Sequence, residues 1–189
     1  IDFFLCSNHL ISENSKKFYS EKFLIIDKLP MIYNKPVIEN ILSDKDISKK
    51  NIYSCPQTLF KFHPDFDDYL FDILKKDKKA VLYLLKDTHK VYYLKLLERF
   101  KKNKNFESDR VIFLDPLNLN QFINHLGTSS VLLDPIYFGS GNSFHESMFY
   151  GTQTVTCPTK YIKSRIVSAA YNQMEVKNPP IVKNKDDYV

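Results

Sequence analysis

From about residue 50 the chain alternates short β-rich apolar runs with longer runs whose apolar positions recur at helical spacing. "NIYSC" (51–55) predicts a strand, and "HPDFDDYLFDILKK" follows with Phe66, Tyr69, Leu70, Ile73 and Leu74 on one helical face. Pro64 suits the first turn of that helix, where a missing N–H breaks no bond. Asp65, Asp67 and Asp68 complement the positive end of its dipole. "AVLYLL" (80–85) is continuously apolar, the pattern of a strand buried on both faces. "HKVYYLKLLERFKK" predicts a second helix, "RVIFL" (110–114) a strand, "NLNQFINHL" a short helix and "SVLLD" (130–134) another strand. A glycine-bearing loop and a helix beginning near Asn142 or Ser143 come next. "QTVTC" (153–157) then reads as a strand, "TKYIKSRIVSAAYNQM" as one long helix, and "PPIV" (179–182) as the start of a further strand.

Strands and helices alternating with short connections imply right-handed βαβ units and a parallel sheet. Residues 49–189 are therefore expected to form a doubly wound, Rossmann-like α/β domain. Residues 1–48 differ in pattern. "IDFFLCS" and "KFLIID" read as strands, and "KLPMIYNKPVIENILSDKDISKK" reads as a linker. The chain lacks an initial Met and stops at "DDYV" with no closing element in the pattern, so it is expected to be a piece of a longer protein.

Composition narrows the classes. Apolar residues make up 43% and charged residues 26%, an ordinary globular balance, and no apolar run reaches membrane-spanning length. The opening residues have no basic leader or small-residue cleavage site, so no signal peptide is predicted. Cys6, Cys55 and Cys157 are far apart and odd in number, which fits neither a disulfide framework nor a zinc site; a reduced, cytoplasmic protein is the simplest reading. The net charge of +5 comes from dispersed lysine runs with little arginine, the pattern of solvated helix ends rather than of a nucleic-acid surface.

The chain has four glycines, and three of them fall in "FGSGNSFHESMFYG" (138–151) just after a predicted strand end, two of these, Gly139 and Gly141, close together. In an open parallel sheet, ligands bind outside the carboxyl ends of strands. Gly139 and Gly141 would let a ligand approach the backbone, and the helix start offers free N–H groups to an anion such as phosphate. Each feature also has a structural reading. Ser143-x-x-Glu146 is a capping-box spacing, Gly151 fits a helix C-cap, and Gly139 could serve a turn alone. Neither a dinucleotide fingerprint nor a Walker loop is present.

"LLDPIYFGSGNSFHESMFYGTQTVTCPTKYIKSRIVSAAYNQM" resembles the donor-binding region of the O-linked N-acetylglucosamine transferase family, bacterial relatives included. Asp134, Gly139, Gly141, Asn142, Ser143, Glu146, Gly151, "TVT" and Pro158 follow the family order without gaps. "CPQTLFKFHPDF" resembles a second family block, and "YSEKFLIIDKLP" the segment leading out of the preceding domain. The resemblance implies the C-terminal domain of a GT-B glycosyltransferase that binds a UDP-sugar. By it, Lys61 matches the lysine that contacts the donor diphosphate and steadies the leaving group. Gly141, Asn142 and Ser143 match the phosphate-holding loop and helix start, and Glu146 matches the acidic residue on the ribose hydroxyls. Leu117 matches a position whose backbone borders the nucleobase. Gln57 or Thr58 fills the polar position before the lysine.

The match has departures. The family helix facing the nucleotide carries basic residues in animal members, whereas here only His125 is a candidate, and it also fits a plain helix C-terminus; Leu119 replaces what can be a lysine. Asp65-Phe66-Asp67 spells a DxD, the metal motif of other sugar transferases, but its place in a first helical turn explains both carboxylates. No metal and no cofactor beyond the UDP-sugar donor are therefore expected. The acceptor implied is a protein side chain recognised by upstream regions, which in this family include tetratricopeptide repeats. A nucleotide-sugar epimerase of similar architecture and a degenerate, non-catalytic interaction domain are the alternatives.

Overall fold

The computed structural model describes residues 1–37 and 51–189. Strands β1 (Phe3–Ser7) and β2 (Lys22–Ile26) pair in parallel, joined through the short helix α1 (Glu13–Lys16), which the sequence pattern does not announce. The rest is an α/β unit. Its strands are β3 (Asn51–Cys55), β4 (Ala80–Leu85), β5 (Val111–Leu114), β6 (Val131–Leu133) and β7 (Thr154–Val155). They form one all-parallel sheet in the order β5-β4-β3-β6-β7. Helices α2 (Pro64–Lys76), α3 (Val91–Lys101), α4 (Leu119–Thr128), α5 (Asn142–Met148), α6 (Ile166–Gln173) and α7 (Lys185–Tyr188) complete it.

Strand alternation distributes the helices over both faces. Leu82 and Leu84 of β4 and Leu133 of β6 enter the main apolar cluster with Phe66, Phe71 and Leu74 of α2 and Phe100 of α3. Tyr83 points the other way and meets His125 of α4 edge-on, while Leu132 packs with Ile123 and Leu126 of that helix. The sheet is thus doubly wound, as its pattern predicts. Burial of each of the fully buried rings Phe66, Phe71 and Phe100 stabilises the fold by about 1.5–3 kcal/mol.

Several elements depart from their sequence pattern for local reasons. Helix α3 starts at Val91, two residues later than the pattern suggests, because Lys90 adopts φ 56° and the Asp87 carboxylate accepts the Val91 and Tyr93 amides. The long helix expected over 159–174 is only α6, preceded by a 3-10 turn at Ile162–Ser164. There the Ser164 hydroxyl bonds the Thr159 amide and the Tyr161 carbonyl, offering the backbone an alternative to helix. The strand expected at 153–157 is confined to Thr154–Val155, and "PPIV" supplies a single bridge, Ile181 to Thr156. The chain does end in a regular element: α7, capped by Asn184, buries Tyr188 against the core.

Of the expected linker, residues 28–37 are irregular, and 38–50 lie outside the described residues, as does the boundary expected near residue 48. The irregular part is nonetheless packed. Leu29 is buried with Phe144 and Tyr171 of α5 and α6, and its amide donates to Gln173 at 2.5 Å.

Candidate functional site

The sheet order places the topological switch between β3 and β6. β3 leads on to β4 at one side, and β6 leads on to β7 at the other. The loops leaving the carboxyl ends of these adjacent strands diverge, and a crevice between them follows. One loop, Pro56–His63, carries Gln57, Thr58 and Lys61; the other, Asp134–Gly141, is the glycine loop.

Lys61 joins the two. It sits in a 3-10 turn (Leu59–Lys61), and its Nζ donates to Gln57 Oε1 at 2.7 Å and across the crevice to the Gly139 carbonyl at 3.1 Å. Gln57, 4% exposed, passes the connection on, its Nε2 donating to Ser143 Oγ at 2.5 Å. Four positions singled out in the sequence therefore meet in one chain of bonds. Thr58 is exposed and precedes the turn, so Gln57 is the polar residue that faces the crevice. Burial pushes the Lys61 ammonium below its ordinary pKa, and the Asp134 carboxylate pulls it back.

Asp134 organises the glycine loop. It is 1% exposed; its carboxylate accepts the Ser140 amide at 2.5 Å and the Thr156 hydroxyl at 2.6 Å, and its carbonyl accepts Tyr188 OH. Burial raises its pKa to about 6, against the lowering effect of these bonds and of Lys61. A Cβ on Gly139 would lie 2.8 Å from both carboxylate oxygens, so this glycine is required by the loop's own packing. Gly141 is the opposite case. A Cβ there would meet nothing within 4 Å, and the chain's own contacts give no reason for glycine at that point. The C-cap of α5 is Phe149 rather than Gly151; Gly151, at φ 75°, sits in the turn just after it, its amide donating to the Met148 carbonyl.

The capping-box reading of Ser143 and Glu146 does not hold. The N-cap of α5 is Gly141, which places Ser143 inside the first turn with its hydroxyl bound by Gln57. Glu146 is half-buried and, among the described residues, makes no hydrogen bond or ion pair; burial raises its pKa. Asn142 accepts the Tyr33 hydroxyl on its Oδ1, which leaves its amide group as the donor at the loop. Tyr33 also stacks on His145 at 4.3 Å, covering one side of α5.

Leu117 lies on the same carboxyl edge, in the loop between β5 and α4, two strands from β3 and so roughly 10 Å along the sheet. His125 faces elsewhere. Its Nε2 bonds Ser54 Oγ at 2.9 Å, and burial lowers its pKa to about 4, so a neutral imidazole is held against the sheet. Among the described residues no hydrogen bond links it to the Lys61 cluster. The DxD carboxylates have structural partners: Asp67 forms a two-pronged ion pair with Arg99 at 2.7 and 2.8 Å, and Asp65 accepts Tyr137 OH.

Two residues, and the cleft they line, escaped the sequence pattern. Phe138 places its ring 4.6 Å from Lys61 Nζ and 4.8 Å from Lys163 Nζ. Lys163, in the 3-10 turn after β7, accepts the Gly139 amide on its carbonyl at 2.9 Å. Both residues line a cleft of about 1290 Å³ that also meets Phe18, Tyr19, Tyr137 and Tyr161. Lysine in a lysine-rich stretch carries no signal of its own, and an aromatic before a glycine reads as packing.

No protein-family model matches the chain, and no curated protein sequence does either. Among solved structures, a mutant of the Thermobaculum terrenum O-GlcNAc transferase superposes over 100% of this chain with a TM-score of 0.78 at 16% identity, and the match covers 36% of that protein. TarM superposes over 94% with a TM-score of 0.55 at 15% identity, covering 34% of its chain. A mutant of S. aureus TarM in complex with Fondaparinux, alpha-GlcNAc-glycerol and UDP superposes over 94% with a TM-score of 0.52 at 13% identity, again covering 34%. The chain thus has the Rossmann-like α/β fold of GT-B glycosyltransferases and spans about a third of the length of these proteins.

Proposed function

We propose that this chain is the donor-binding part of a metal-independent, inverting glycosyltransferase that takes a UDP-sugar and transfers N-acetylglucosamine or a hexose to a protein side chain. The observation that carries this reading is the Lys61 ammonium at the switch-point crevice, tied to both loops. An ammonium has three protons, and two are used on Gln57 and Gly139, so one remains for a phosphoryl oxygen. As the glycosidic bond to the diphosphate breaks, negative charge grows on the departing phosphate. A fixed cation in a partly desolvated crevice stabilises that charge where it develops. The Ser143 hydroxyl and Asn142 amide add neutral donors, and the open space over Gly141 admits the phosphates. Glu146 accepts the ribose hydroxyls, and the Leu117 backbone borders the base.

The acceptor, and the base that takes its proton, belong to regions of the enzyme outside this chain, with tetratricopeptide repeats as one form they would take. Since Lys61 supplies the positive charge, UDP binding should persist in a chelator. Titration calorimetry tests the role of Lys61. A charge-assisted hydrogen bond is worth roughly 1.5–3 kcal/mol, so Lys61→Ala should weaken UDP binding about tenfold to a hundredfold. Unchanged affinity would remove Lys61 from the site and the reading with it.

A further inference from the structure

We propose that Lys163 is a second cation for the donor diphosphate, contacting the phosphoryl group that bears the sugar. The inference rests on the donor-binding reading above and extends it to a residue outside the glycine-loop and lysine motifs.

The geometry begins at Gly139, whose peptide is gripped from two sides. Its carbonyl accepts the Lys61 ammonium at 3.1 Å, and its N–H donates to the Lys163 carbonyl at 2.9 Å. The turn that carries Lys163 is therefore docked on the glycine loop by main-chain bonding. That turn is itself fixed: Ser164 Oγ bonds the Thr159 amide at 2.9 Å and the Tyr161 carbonyl at 2.8 Å, and Arg165 reaches the Thr159 carbonyl. Lys163 is thus carried by an ordered backbone, and its side chain reaches the same Phe138 ring as Lys61.

The two ammonium groups are placed where an anion could meet both. Among the described residues neither ammonium has a carboxylate within ion-pair distance. A ring face attracts an ammonium group but leaves its full charge in place, so Phe138 gathers two like charges without cancelling either. Lys61 has the buried Asp134 carboxylate as a Coulombic neighbour, whereas Lys163 is exposed, and an anion between them would draw on both charges. A diphosphate presents charge on two adjacent phosphoryl groups, which matches two separate ammonium groups better than a single carboxylate does.

Position assigns the phosphate. Lys61 lies in the crevice between β3 and β6, whereas Lys163 and Phe138 line the 1290 Å³ cleft beside it. The phosphoryl group nearer the cleft is the one whose substituent projects into it, and in a nucleotide-sugar that substituent is the sugar. Lys163 would therefore act on the leaving phosphate, and UMP, which lacks that group, would not feel it.

The test is a titration of UDP and of UMP into the native 189-residue chain and its Lys163→Met and Lys163→Arg variants, with thermal melting of each. Methionine keeps the apolar stem against Phe138 and removes the charge. The expected result is UDP binding weakened roughly five- to tenfold in Lys163→Met, with UMP binding and the melting temperature unchanged and Lys163→Arg close to native. Unchanged UDP affinity in Lys163→Met overturns the inference. Equal weakening of UDP and UMP overturns the assignment to the sugar-bearing phosphate. Native UDP binding with an inert Lys163 sinks this inference alone, whereas a native chain that binds no UDP sinks the donor reading as well.

Discussion

Glu146 carries its charge half-buried, and among the described residues no cation or donor meets it. Such a placement is unfavourable in the chain by itself, since burial penalises the ionised form. With the capping role excluded by Gly141 standing at the N-cap, the ribose hydroxyls of a nucleotide are the donors that would complete it. Glu146→Gln separates these possibilities. The neutral amide removes the desolvation penalty, so the melting temperature should hold or rise slightly. Losing the charge should weaken UDP binding by about 1 kcal/mol or more. 2′-Deoxy-UDP should bind the native chain less tightly than UDP and lose that difference in the variant. Equal UDP affinities in the two proteins would leave Glu146 without a ligand role.

At the scale of the element, the glycine loop shows how one short stretch holds two different kinds of glycine. Gly139 yields to the buried Asp134 carboxylate, and Gly141 faces open space. Gly139→Ala should therefore lower the melting temperature sharply, because a methyl 2.8 Å from two carboxylate oxygens must displace them. Gly141→Ala should leave melting near native and weaken UDP binding, since its methyl projects only into the space the ligand would use. A Gly141→Ala chain with native UDP affinity would show that the loop does not meet the phosphates. Sequence spacing left Gly139 with both a ligand-approach reading and a plain turn reading, because nothing local marks that Asp134 folds back under position 139. It did locate the loop and put the start of α5 near Asn142 or Ser143; the helix begins at Asn142. The same limit explains α6: its periodicity continues through Thr159–Ser164, but hydroxyl bonds from Ser164 hold that stretch out of the helix. Lys163, which depends on that turn, was therefore invisible as a site residue.

For the whole molecule, the central strands and α2, α4 and α5 were legible because each carries its own period and punctuation. The strand order was not, since pairing β3 with β6 depends on contacts between distant segments. Neither was the attachment of residues 1–37 to α5 and α6 through Leu29 and Tyr33, which reads locally as a linker. Yet this non-local arrangement makes the site, because the β3–β6 adjacency sets Gln57 and Lys61 opposite Gly139 and Ser143. The central claim is that a nucleoside diphosphate bridges these two loops. Backbone-amide NMR of the native chain during a UDP titration, in the presence of a chelator, tests it most directly. The account predicts saturable shifts in Gln57–Lys61 and Gly139–Glu146 together, with the amides of α7 little affected. Absence of saturable shifts, or shifts confined to surfaces remote from both loops, would contradict it.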